Sequence, residues 1–184
     1  MGAQPESTWS APSDWCPHPE HWHSESIDAT EQEVTDLIGG LVRGLQPELV
    51  VETGTEFGRT AAAIGVCLTL NGHGRLITLE VDEVKVGIAA RLVRGLPVDV
   101  LIGRAEELVP TAPIDFLFLD SGFDCRGREL EHFAPHLSPG AIVAIHDAGE
   151  GRTVWDTITP TLEGGSWTGL RLRTPRGLAL LQRR

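Results

Sequence analysis

From residue 30 onward, short runs of valine, isoleucine and leucine alternate with stretches whose apolar residues recur every three or four positions. The first pattern, unbroken by polar residues, predicts strands covered on both faces; the second predicts helices. Thr30 followed by Glu33 matches a capping box, and Val34, Leu37, Ile38, Leu41, Val42 and Leu45 carry the helix on until Pro47. Strands are predicted at 48–52, 75–80, 98–102, 114–119 and 141–146. Helices are predicted at about 59–70, 83–93, 126–136 and 152–162. The segment GLRLRTPRGLALL then reads as two strands around a Thr-Pro-Arg-Gly turn. This order predicts an α/β fold: a Rossmann-like, doubly wound sheet of seven strands, mostly parallel, with an antiparallel C-terminal hairpin.

Residues 1–27 break the pattern. They are rich in Pro, Ser, Trp and His without periodicity, and predict an extended arm ahead of a single domain at 28–184. Trp9, Trp15 and Trp22 favour an arm that docks, as a lid over the site. Within it, CPHPEHWH gathers one thiol and three imidazoles, so a zinc site is an alternative; the paired ligand spacings of structural zinc sites are missing.

Composition narrows the partners. A net charge of −11 opposes binding to nucleic acid, whose phosphates need clustered cations. The sequence has no long apolar run and no basic-then-apolar leader, so neither a membrane span nor a signal peptide is expected. Cys16, Cys67 and Cys125 are odd in number and far apart, which predicts a reducing, cytoplasmic setting. Lys85 is the sole lysine among 15 Lys and Arg residues, a bias taken to mean a bacterial, GC-rich source.

The chemistry concentrates at VVETGTEFGRT, residues 50–60. In open α/β sheets ligands bind beyond the carboxyl ends of the strands, which is where Glu52, Gly54 and Gly58 fall. The glycine spacing is Gly-x-x-x-Gly rather than that of a dinucleotide loop, and a carboxylate ahead of it suits a cation, not a pyrophosphate. RLITLE ends the second strand with Glu80, positioned to bind a ribose diol. A cationic group, a ribose and no phosphate form the expected ligand outline.

With VETGTEFGRTA, LITLEVD, IGRAEEL, IDFLFLDSG and GAIVAIHDAG in this order, the chain resembles class I S-adenosylmethionine-dependent methyltransferases. The likeness covers roughly residues 28–184 and is greatest to small O-methyltransferases related to the catechol and caffeoyl-coenzyme A enzymes. The resemblance implies methyl transfer from S-adenosylmethionine to a small-molecule acceptor, most readily at a hydroxyl, by a protein that can form a homodimer. It implies that Glu52, Gly54, Thr55 and Gly58 line the methionine part, with Glu52 reading the ammonium, and that Glu80 holds the ribose. Val81, Ala105 and Glu106 would border the adenine, Asp120 would lie beside the sulfonium, and the helix from Thr30 would cover the cofactor.

Metal-dependent relatives hold a divalent cation with an acid after the fourth strand and an Asp-Asn pair after the fifth. Asp120 and Asp147 match the acids and could hold Mg²⁺, but Ala148 replaces the asparagine. His146 and Asp147, with Asp120, are therefore the catalytic candidates, His146 as the base that takes the hydroxyl proton. The alternative for His146 is a structural strand end. Two other functions stay open: a methyltransferase-fold binding protein without catalysis, and a nicotinamide-dependent oxidoreductase.

Overall fold

The computed structural model describes residues 11–26 and 28–183. The first strand, β1 (Leu49–Thr53), is buried along its whole length. Side chains alternate along a strand, so its residues divide between the two faces of the sheet. Leu49 and Val51 enter one apolar cluster with Leu117, Leu130, Phe133, Val154 and Ile158. Val50 enters another with Val34, Ile38, Ile64, Leu68 and Phe116. Helices on both faces make this double burial possible, which is why the strand carries no polar alternation.

Five parallel strands form the body of the sheet. β2 (Arg75–Glu80) and β4 (Ile114–Leu119) flank β1, with Val51 opposite Ile77 and Leu117. β3 (Val98–Ile102) lies beyond β2, and β5 (Leu137–His146) beyond β4. β6 (Trp167–Leu172) and β7 (Leu178–Arg183) make the expected hairpin, and β7 inserts antiparallel between β5 and β6. The seven-stranded order is β3-β2-β1-β4-β5-β7-β6. The chain reverses between β1 and β4, so the crevice at their carboxyl ends is the place for a ligand.

Five α-helices cover the sheet: α1 (Gln32–Leu45), α2 (Arg59–Asn71), α3 (Glu83–Leu92), α4 (Arg126–Phe133) and α5 (Thr153–Glu163). Three departures from expectation have clear causes. The capping box does not form: Thr30 donates its hydroxyl hydrogen to Asp120, Glu33 binds His23, and the N-cap residue is Glu31. α4 stops at Phe133 because a short 3-10 turn containing Pro135 follows. β5 begins four residues earlier than expected, since Leu137 pairs with Ile114 before a bulge restores register at Ile142.

Candidate active site

A cavity of about 480 Å³ opens at the carboxyl ends of β1, β2 and β4. Its floor is the turn after β1, where Gly54 adopts φ +83° and donates its N–H to Leu79. A Cβ on Gly54 would collide with the backbone of Asp120, so the glycine permits the two loops to touch. One wall carries Glu80. Its carboxylate accepts N–H groups from Glu56 (2.9 Å), Val81 (2.9 Å) and Asp82 (3.0 Å), which fix both oxygens before any ligand arrives. Burial raises the pKa of Glu56 against the pull of Lys85, and the charges of Asp28, Asp120 and Glu80 raise it further. A cavity whose acids crowd one another in this way favours a positively charged guest.

Behind the acceptor side lies a buried ionic cluster. Arg126, at the start of α4 and 1% exposed, points between two strand ends. Its Nη2 stands 3.1 Å from Asp120 Oδ1 and 3.1 Å from Asp147 Oδ2, and its Nε donates to the Ser121 carbonyl at 3.0 Å. Its Nη1 donates to the His146 carbonyl. Asp147 adopts φ +57°, a left-handed conformation that an aspartate tolerates, at the point where β5 ends. Arg152 reaches Asp147 at 3.2 Å, and Arg176, brought by the β6–β7 turn, reaches Glu31 at 3.4 Å. The His146 ring lies between Asp120 (Nδ1, 3.0 Å) and Glu31 (Nε2, 2.6 Å) and is fully buried. Burial opposes its charge, but the Asp120 and Glu31 carboxylates outweigh burial and raise its pKa to about 9. The same pairing, with help from Arg176, takes Glu31 down to about 2 despite burial.

Residues 51–148, more than half of the 184-residue chain, match the model of a methyltransferase domain. The chain belongs to that family. Solved structures share its fold at low identity. The O-methyltransferase TomG of Streptomyces achromogenes, solved with S-adenosylmethionine, is 20% identical with a TM-score of 0.71, over 85% of this chain and 82% of its own. The methyltransferase PaMTH1 of Podospora anserina, solved with S-adenosylhomocysteine, is 14% identical with a TM-score of 0.76, over 92% and 86%. An O-methyltransferase of Bacillus cereus, also solved with S-adenosylhomocysteine, is 18% identical with a TM-score of 0.69, over 86% and 84%. No curated protein matches the sequence significantly.

In this methyltransferase the structure brings Gly54, Thr55, Glu80, Val81, Ala105, Glu106, Asp120 and Asp147 to the cavity wall. It removes three expected residues from it. Gly58 serves packing instead: a Cβ there would press on Ala89 of α3. Glu52 is 1% exposed and accepts the Thr78 hydroxyl at 2.6 Å. Burial raises its pKa to about 8, and it sits behind the wall rather than on it, away from where the expected ammonium contact would be made. His146 is also behind the wall. An imidazolium held by two carboxylates cannot accept a hydroxyl proton, which corrects its expected role as base. Asp120 and Asp147 meet around the Arg126 guanidinium, at the point where Mg²⁺ was a doubtful alternative because Ala148 replaces the asparagine.

The cover differs as well. Asp28, Ala29 and Thr30 line the cavity, so the loop ahead of α1 approaches a ligand while α1 itself packs on the sheet. None of residues 11–26, part of the expected lid, lines it. Trp15 instead donates its indole N–H to the Thr174 carbonyl and lies beside Arg171 and Arg173, docking the arm on the β6–β7 turn. Trp9 falls outside the described residues. Of the possible zinc ligands, His18 and His21 gather with Glu20 at the surface, while Cys16 is buried and His23 binds Glu33. Sequence reasoning missed Glu31, Arg126, Glu129 and Arg176. Glu129 accepts hydroxyl hydrogens from Thr53 (2.8 Å) and Ser121 (2.7 Å), tying the turn after β4 to β1.

Proposed function

We propose that the protein transfers a methyl group from S-adenosylmethionine to a hydroxyl of a small-molecule acceptor. The observation that carries this reading is Glu80, a cavity carboxylate whose oxygens are set in place by three backbone N–H groups. Such an acceptor suits the two hydroxyls of a ribose. Gly54 and Thr55 would receive the methionine portion against the backbone, and Val81, Ala105 and Glu106 would border the adenine. With Glu52 withdrawn, Asp28, Glu56 and Asp120 are the carboxylates near enough to attract an ammonium or sulfonium. S-adenosylmethionine supplies an activated methyl group, which leaves the protein little covalent work.

Asp120, rather than His146, then orients the acceptor hydroxyl. Thr30 (2.5 Å), Arg126 and His146 all donate to it, so its carboxylate is rigid and its pKa stays low against burial. Held this way it orients the acceptor hydroxyl by accepting its hydrogen, and the proton leaves toward solvent as the new bond to oxygen forms. Free thiols at Cys16, Cys67 and Cys125 agree with a bacterial cytoplasmic setting, and no described helix is long and apolar enough to cross a membrane.

Calorimetry tests the cofactor. S-adenosylhomocysteine should bind in the micromolar range, about −8 kcal/mol, and NADH should not bind. Glu80→Ala should weaken binding by about 2–4 kcal/mol, the loss of two charge-assisted hydrogen bonds. Unchanged affinity in that variant removes the ribose assignment; NADH binding in place of S-adenosylhomocysteine would return the chain to the oxidoreductases.

A further inference from the structure

Asp120, His146 and Asp147 place one ligand atom each within 4.8 Å of one another, the outline of a divalent-cation site. Two carboxylates and an imidazole are a donor set that a divalent ion such as Mn²⁺ can accept, while Mg²⁺ would use the carboxylates alone. The space between them is nevertheless filled. Arg126 Nη2 lies 3.1 Å from both carboxylates, and the His146 Nδ1 lies 3.0 Å from Asp120 and 3.5 Å from Asp147. Three carboxylates (Glu31, Asp120, Asp147) face three guanidiniums (Arg126, Arg152, Arg176), so the cluster is balanced before His146 is counted. A metal ion would have to expel a guanidinium that is 1% exposed and also bound to two carbonyl oxygens. Mg²⁺ does not fit these residues as they stand.

We infer that Arg126 is the resident cation of this site: it locks Asp120 and Asp147 in place and excludes a divalent metal that the same three ligand residues would otherwise bind. Arg126 is a positioning residue. Arginine suits the role because its planar fork meets carboxylate and carbonyl oxygens at once and never loses its charge. Burying it costs stability unless every donor is paired, and the cluster pairs it with Asp120, Asp147, Ser121 and His146. The acceptor oxygen consequently meets Asp120 and the cavity wall rather than a metal.

The experiment reads metal binding and needs no turnover. Mn²⁺ binding is followed by electron paramagnetic resonance in a His18→Ala/His21→Ala background, which removes the exposed His18–Glu20–His21 trio as a competing site. With Arg126 intact, no site should fill below about 1 mM Mn²⁺. Arg126→Ala should acquire one site at least about tenfold tighter, and Asp147→Asn added to it should abolish that site. A merely structural arginine would give no such gain. Cooperative thermal melting checks the fold without reference to any ligand, so failure of the cofactor reading leaves this result intact; should Arg126→Ala not fold, Arg126→Met provides the same comparison. The inference is overturned by a site present with Arg126 intact, by a folded Arg126 variant that gains none, or by a gain that survives Asp147→Asn.

Discussion

Glu52 should make the protein less stable as pH rises through neutrality. Its carboxyl is buried under the turn after β1, with one hydrogen bond from Thr78 and the negative charge of Asp120 nearby. Burial, assisted by Asp120 and opposed by Thr78, moves its pKa from 4.5 to about 8. The folded state therefore binds one more proton than the unfolded chain between those values, and stability falls as pH rises across that window. The slope is about 1.4 kcal/mol per pH unit, which amounts to about 3 kcal/mol by pH 7 and about 4 kcal/mol by pH 8. Glu52→Gln keeps the shape and the oxygen that accepts from Thr78, but has no charge to suppress. Urea denaturation of both proteins from pH 4 to 9 isolates the effect, because other titrating groups cancel in the difference. The two should be close in stability at pH 4; the variant should then gain steadily and level off above pH 8. A difference that stays flat within about 0.5 kcal/mol across the window would refute the neutral buried acid.

Gly54→Ala should cost about 2–4 kcal/mol and weaken S-adenosylhomocysteine binding, since φ +83° is unfavourable for alanine and the new methyl meets the Asp120 backbone, which cannot rotate away; denaturation and calorimetry check both. His146 contributes a pH dependence of the same sign as Glu52, in a higher window. Its raised pKa means that its stabilising charge is fully present below 6.5 and lost as pH rises through about 9, so the stability advantage of the protein over His146→Asn should shrink by about 3 kcal/mol across that range. An advantage that is constant with pH would show that the imidazole is not held as a cation.

The strands were readable because burial on both faces leaves its mark along β1 and over most of β2, β4 and the second half of β5, and the hairpin because Gly177 permits its turn at φ +82°. The binding end of the site was readable for a related reason: Gly54 and Glu80 act through neighbours in sequence, the backbone of the following turn in one case and Val81 and Asp82 in the other. Strand parity also contained a warning about Glu52 that the motif obscured. Val50 faces α1 and α2, so Glu52, two residues on, shares that inward face, while Thr53 turns toward Glu129. The cluster was not readable. Glu31 meets His146 across 115 residues, and Arg176 arrives from the far end of the chain. Thr30 satisfied a helix-capping pattern yet binds Asp120, 90 residues away, because a tertiary partner won over the local one.

The site thus contains two populations of carboxylates, and their difference bears on which ligand the cavity selects. Glu31, Asp120 and Asp147 are joined to arginine or histidine at 3.4 Å or less, so the acceptor end is rigid and close to charge balance. At the other end Asp28, Glu56 and Glu80 share the same wall; burial raises the Glu56 pKa, and the charges of Asp28, Asp120 and Glu80 add to it against the pull of Lys85. Lys85 also lies 5.5 Å from the Phe57 ring. Arg59, Lys85 and Arg104 also line the cavity, so the acids are partly offset, and a guest with an ammonium and a sulfonium would be drawn to the carboxylates that remain. On the proposed reading, the carboxylates joined to arginine and histidine set how rigid the acceptor end is.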